Sequence, residues 1–175
     1  MKNKTLVRFC ISAVIAALYA AVSLALAPLS FGPIQIRIAE AMTLLPILFP
    51  EAIAGVTLGC FLTNLIGAIL GLNLLGFFDV FAGTLATFLA AMLTWRCRKL
   101  CVKGVPLVSA LMPVLFNAVI IGAELAYVLY PTALLTGFVI NALEVGFGEL
   151  VACFILGLPL VKALDKAQLA KRFGL

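Results

Sequence analysis

The sequence contains no histidine and few charged residues of either sign. Only 11% of its 175 residues are charged and 65% are hydrophobic, whereas soluble domains carry about 25% charged residues. A soluble globular domain this poor in charge could not cover its surface with polar groups. Without histidine, the chain also lacks the commonest catalytic base and metal ligand. We therefore expect neither a soluble enzyme nor a metal site.

Other catalytic signatures are missing as well. The sequence has no Walker motif and no phosphate-binding loop. Two of its five cysteines, Cys60 and Cys153, fall inside apolar runs, where a thiol acts as a small hydrophobe. Cys97 and Cys101 share a basic segment, but a metal site would need more ligands than these two cysteines. We predict no catalytic residue, no cofactor and no metal, so any ATP-driven step would need another subunit.

Six apolar runs account for most of the chain. A helix needs about 20 apolar residues to cross the hydrocarbon core of a bilayer. The first run begins like a secretory signal, but Pro28 disfavours cleavage after Ala27, and we expect a retained helix. The prediction is an all-α membrane protein, a compact bundle of six transmembrane helices in one domain, residues 1–175. The predicted helices are 8–26, 40–49 (short for a crossing), 52–70, 79–95, 105–129 and 134–160.

The net charge of +5 is concentrated at the ends of the apolar runs, which argues against nucleic-acid binding. With six crossings, every basic residue except Arg37 falls on one side. The positive-inside rule makes that side, with both termini, cytoplasmic. The residues on that side are Lys2, Lys4, Arg8, Arg96, Arg98, Lys99, Lys103, Lys162, Lys166, Lys171 and Arg172.

Most acidic residues lie in or at the ends of apolar helices, where a charge is costly and usually functional or paired. These acids are Glu40, Asp79, Glu124, Glu144 and Glu149. Arg37 is the only base near them on the outer side. It is either a loop arginine that reaches the interface or a residue retained for a ligand. The excess of acids predicts an interior cavity, unless some of the acids are protonated and purely structural.

Helix periodicity brings two of these acids together with two asparagines. Asn117 and Glu124 share one face of the fifth predicted helix, and Asn141 and Glu144 share one face of the sixth. Counting from Pro131 places the two pairs at matching depths in the outer half of the membrane. We expect a polar pocket open to the outside, with an interhelical hydrogen-bond clamp as the alternative. Glu149 lies deeper, where a structural role is possible.

Small residues form a second pattern. Gly55 and Gly59 make a GxxxG in the third predicted helix, and alanines recur every four residues along the first. Such patterns allow close helix packing. The alanines serve either packing within the bundle or docking onto another membrane protein. They are Ala13, Ala17, Ala21 and Ala25.

Three segments, residues 31–65, 77–91 and 141–150, resemble the QueT family, and the stretch QIRIAEA from Gln35 is the most specific part. Members of this family are substrate-binding S components of energy-coupling factor transporters in prokaryotic cell membranes. The resemblance implies six helices with cytoplasmic termini and an alanine-rich first helix that docks on a transmembrane coupling subunit. It also implies two cytoplasmic ATPase subunits as partners. The implied substrate is queuine or a prequeuosine base, with another vitamin-like solute or a purely structural role as alternatives.

The predicted pocket suits a deazaguanine. One carboxylate can accept its adjacent N–H donors, a second can balance a cationic aminomethyl substituent, and its carbonyl needs a donor such as Arg37, Gln35 or Asn141. Flat aromatic surfaces come from Phe31, Phe77, Phe78 and Tyr127. The predicted substrate-binding residues are Glu144, Asn141, Glu124, Asn117, Arg37, Glu40, Gln35, Asp79, Phe78 and Tyr127.

Overall fold

The computed structural model describes residues 4–32 and 36–169, and nearly all of them are helical. Within these residues, the nearest approach to a strand is a single bridge between Val102 and Val105. The helices are α1 (Lys4–Ala25), α2 (Ala27–Ser30), a 3₁₀ helix (Ile38–Ile47), α3 (Ala52–Ile69), α4 (Phe77–Arg96), α5 (Leu107–Leu129), α6 (Leu134–Leu150), a π-helical stretch (Val151–Gly157) and α7 (Leu158–Lys166).

Helices α1 and α3 run parallel to each other. Near their starts, Arg8 Nε lies 3.0 Å from Glu51 Oε1, and Ser12 Oγ donates to the Glu51 carbonyl. Further along, Gly59 packs against Tyr19. Since α1 and α3 have the same direction, the segment between them must bring the chain back to the end of the bundle where α1 begins.

The remaining long helices alternate in direction. Hydrogen bonds between Thr94 and Ser109 join the end of α4 to the start of α5, and Gly122 of α5 packs against Ala142 of α6. At the end of the described chain, Leu164 and Leu169 pack beside the first turns of α1. The first and last described residues therefore lie at the same end of the bundle.

Among the described residues, five helical segments are long and apolar enough to cross a membrane, one fewer than the six predicted. They are Lys4–Ala25, Ala52–Ile69, Phe77–Arg96, Leu107–Leu129 and Leu134–Lys166. A multi-pass membrane protein follows from them. The predicted second span is instead the ten-residue 3₁₀ helix, which contains Pro46. At about 2.0 Å per residue it covers roughly 20 Å, less than the roughly 30 Å of a hydrocarbon core. Proline also lacks the N–H that a regular α-helix requires.

The sixth predicted helix also differs in its details. It continues past residue 160 to Lys166 and passes through the π-helical stretch Val151–Gly157. That stretch packs on the 3₁₀ helix, where Cys153 Sγ lies 3.8 Å from the Glu40 carbonyl and Gly157 contacts Leu44. The two irregular elements are therefore neighbours.

Candidate functional site

A small cavity lies among the helices, and most of its lining is charged or polar. Its volume is about 10 Å³, roughly the space for one water molecule. Every charged or amide side chain of the lining is more than nine-tenths buried. The lining residues are Arg37, Glu40, Asp79, Asn117, Ile121, Val145 and Glu149.

Arg37 holds the positive charge of this site. One guanidinium nitrogen lies 3.7 Å from Asp79 Oδ2, and another contacts Cys60 Sγ at 3.7 Å. The guanidinium carbon sits 5.5 Å from the centre of the Phe31 ring, within cation–π range. Burying an arginine is tolerable only when its charge is balanced and its donors are used. Asp79 supplies that balance.

Only one of the two carboxylate oxygens of Glu40 accepts hydrogen bonds from the described residues. Tyr19 of α1 donates a hydrogen bond to its Oε1, and Thr87 of α4 lies 3.5 Å from the same oxygen. The other oxygen, Oε2, is buried without a hydrogen-bond partner among the described residues. An unused acceptor at a cavity wall is costly to bury, and a ligand donor could satisfy it.

Asp79 connects the cavity to the segment between α3 and α4. Asn73, in that segment, donates to Asp79 Oδ2 at 2.7 Å and accepts from the Leu75 N–H at 3.0 Å. On α3, Asn64 donates to the Asp79 carbonyl at 2.9 Å. The segment around Asn73 is thus tied to the site at the end of the bundle opposite the first and last described residues.

Two groups on α5 lack partners within the described chain. Both carboxylate oxygens of Glu124 and the amide nitrogen of Asn117 are buried without a hydrogen bond. On α6, Glu149 has the Cys153 thiol 3.8 Å from Oε2 and the Asn117 side chain nearby. Arg37 stands as the single buried cation beside four buried acids, Glu40, Asp79, Glu124 and Glu149, in the part of the chain that the structure describes. The site therefore has more negative than positive groups.

Comparison with known families identifies a match over nearly the whole chain. The model of the QueT transporter family matches residues 9–166. The chain belongs to the QueT transporter family. Comparison with curated proteins and with solved structures found no significant match in either. The family assignment makes this chain a membrane transport protein of the S component type.

Several of the residues predicted from the sequence meet in this QueT cavity. Arg37, Glu40, Asp79 and Asn117 line it. Glu124 continues the face of α5 on which Asn117 and Ile121 lie. Gln35 falls outside the described residues. Phe78 and Tyr127 are exposed, with their rings stacked 6.5 Å apart, away from the cavity lining.

The two predicted residues of α6 do not reach the cavity. Asn141 is buried but donates to the Gly137 carbonyl of its own helix. Glu144 is half-buried and outside the lining. The buried stripe of α6 follows a four-residue repeat through Asn141 and Val145 to Glu149, and Glu144 lies beside that stripe. A direct role for Asn141 or Glu144 in substrate binding stays a prediction.

Other parts of the QueT site were not predicted. Tyr19 reaches Glu40 from α1, and Thr87 and Asn64 come from α4 and α3. Asparagines and threonines inside apolar helices are a detectable signal, but several are present and periodicity does not identify the ones that converge. Glu149, which the sequence places deeper than the two polar pairs and for which a structural role is an alternative, lines the cavity. In the structure the register pairs Gly122 with Ala142, which sets Asn117 about level with residue 147.

Proposed function

We propose that this QueT chain captures a deazaguanine precursor of queuosine, queuine or a prequeuosine base, from outside a prokaryotic cell. It would deliver the base through a transmembrane coupling subunit driven by two cytoplasmic ATPases. The chain itself binds and carries its substrate without catalysing a reaction. Both termini would face the cytoplasm, in line with the basic residues at that end of the bundle.

The convergence of Arg37, Glu40, Asp79, Asn117 and Glu149 on one cavity carries this proposal. The hydrogen-bonding edge of a deazaguanine presents two parallel N–H groups, which a carboxylate accepts as a pair, and a carbonyl, which needs a donor. Glu40 Oε2 is an unused acceptor in this site, and the Asn117 amide nitrogen lies near Glu149 without a full hydrogen bond. A ligand of this chemistry would satisfy both.

The cavity must enlarge before a base can enter, because its volume of about 10 Å³ admits little more than a water molecule. The segment around Asn73 is suited to that change. It lies at the end of the bundle away from the first and last described residues and is held to Asp79 by one side-chain hydrogen bond. A base that took over the Asp79 carboxylate would release Asn73 and allow this segment to move.

Helix α1 supports the proposed docking onto a coupling subunit. Ala13, Ala17, Ala21 and Ala25 are all exposed, whereas Ala16 and Ala20 face the bundle. Only 17% of the apolar stretch of α1 that is long enough to cross a membrane is buried. The corresponding share is 44% in α3, α4 and α5. A helix with one open face of small residues leaves room for a second backbone to approach closely.

Purified protein would test the substrate assignment. Melting temperatures are measured with queuine, 7-aminomethyl-7-deazaguanine and 7-cyano-7-deazaguanine, and with riboflavin, biotin and thiamine as unrelated solutes. A ligand at 100 times its Kd stabilises the folded state by about 2.7 kcal/mol, so the deazaguanines should raise the melting temperature and the others should not. Stabilisation by another vitamin alone would reassign the substrate. No stabilisation by any solute would favour a structural role.

A further inference from the structure

The buried acids of the site outnumber Arg37, the buried cation among the described residues, and one of the acids lacks any hydrogen-bond partner there. Arg37 is paired with Asp79, Glu40 accepts from Tyr19, and Glu149 has the Cys153 thiol beside it. Glu124 has no hydrogen-bond partner on either oxygen among the described residues, although the residue is only 4% exposed. Removing a carboxylate from water without a partner is costly, so a group that balances it is expected.

Glu124 lies where a bound molecule could reach it. It follows Asn117 and Ile121 by seven and three residues on α5, and both of these line the cavity. Positions at such spacings share one helix face. Glu124 is also within electrostatic range of Asp79 and Arg37. It therefore borders the site on the side of the helix ends from which a ligand would enter.

We propose that this site selects a cationic base, one that carries an alkylammonium substituent, and that Glu124 is the specificity-determining residue that pairs with that cation. The inference rests on the proposed function and narrows its substrate class. A base with a protonated aminomethyl arm would place its positive charge beside Glu124, while its ring occupies the cavity next to Arg37 and Glu40. A neutral base of the same ring would leave Glu124 unpaired.

Two ligands that share one ring test the proposal by calorimetric titration of the purified protein. The first, 7-aminomethyl-7-deazaguanine, is cationic near neutral pH, and the second, 7-cyano-7-deazaguanine, is neutral. Charge-assisted hydrogen bonds are strong enough that the cationic base should bind roughly 10- to 100-fold more tightly. This comparison uses the wild-type chain and needs no variant to fold.

The Glu124→Gln variant then tests whether Glu124 causes the preference for the cationic base. The variant should lose roughly 10- to 100-fold in affinity for the aminomethyl base and little for the cyano base. Glu51→Gln is the matched control, because Glu51 pairs with Arg8 at the opposite end of the bundle, and it should bind both bases as the wild type does.

Three results would contradict the proposal, and each has a different consequence. Equal wild-type affinity for the two bases would overturn the charge selection and leave the proposed function intact. An equal loss for both bases in Glu124→Gln would remove Glu124 as the counter-ion. If neither base binds the wild-type chain, the proposed function fails and this inference fails with it.

Discussion

Gly59 of α3 lies directly against Tyr19 of α1. A Cβ atom built on this glycine would stand 2.7 Å from the tyrosine Cβ and 3.0 Å from the Ala16 carbonyl oxygen. The same tyrosine donates its hydroxyl to Glu40 in the cavity. Close packing of two parallel helices thus sets the position of a side chain that holds the site.

Gly59→Ala should lower the stability of the protein despite the better helix propensity of alanine. Alanine gains about 1 kcal/mol over glycine in a helix, but overpacking against Tyr19 costs about 1–3 kcal/mol. Gly146→Ala is the matched control, since a Cβ there would meet Ala118 at an ordinary 3.5 Å, and it should be neutral or stabilising. Melting temperatures in detergent measure both, and equal shifts would show that the α1–α3 contact is loose.

The Arg37–Asp79 pair should behave as a coupled unit. Removing one partner of a buried ion pair costs about 3–5 kcal/mol, because the other charge is left uncompensated. Arg37→Gln and Asp79→Asn should each be strongly destabilising, and the double variant should lose much less than the sum of the two. Thermal unfolding of the four proteins gives the coupling energy. Additive losses would mean that the 3.7 Å contact carries little energy.

The sequence predicts the chemistry of this site better than its geometry. Arg37, Glu40, Asp79 and Asn117 stand out because ionisable and amide groups are rare in apolar helices, and all four line the cavity. Glu144 stands out by the same rule but lies beside the buried stripe of α6. One sequence does not determine the rotation of a helix when all of its faces are apolar.

The fold, like the site, is predicted only in part from the sequence. Five long apolar runs read directly as helices, because length and composition are sufficient evidence for a span. The segment between α1 and α3 is harder to predict, because its 3₁₀ helix is only ten residues long and contains Pro46. Its direction follows only from the parallel contacts of α1 and α3, such as Arg8 with Glu51, which no local pattern reveals.

Orientation in the membrane can be tested with an impermeant thiol reagent on intact cells. Leu74→Cys should be labelled from outside, because Leu74 is 61% exposed in the segment that the proposed topology puts outside. Its neighbour Asn73 is buried against Asp79 and is a poorer probe. The exposed native Cys101 should react only after permeabilisation. Labelling of Cys101 in intact cells would reverse the proposed orientation.

Docking through α1 predicts a difference between two exposed alanines. Ala17→Leu should prevent co-purification with the coupling subunit, because the added side chain holds the helices apart, while binding of the base by the isolated chain should persist. Ala123→Leu, on an exposed position of α5, should leave both unchanged. If Ala17→Leu also abolishes base binding, or if both variants still assemble, the alanine face is not the docking surface.

The two acids of α6 provide the sharpest comparison between sequence and structure. Glu149 is buried and lines the cavity, while Glu144 is half-buried outside it. The two are five residues apart, about 140° around the helix at 3.6 residues per turn, so one ligand cannot engage both in the same way. Glu149→Gln should therefore weaken base binding roughly 10- to 100-fold through a lost charge-assisted hydrogen bond. Glu144→Gln should cost less than about fivefold, as expected for a partly solvated charge. Titration of both variants decides between the acids, and the reverse order of losses would place the ligand against Glu144, as the sequence alone suggests.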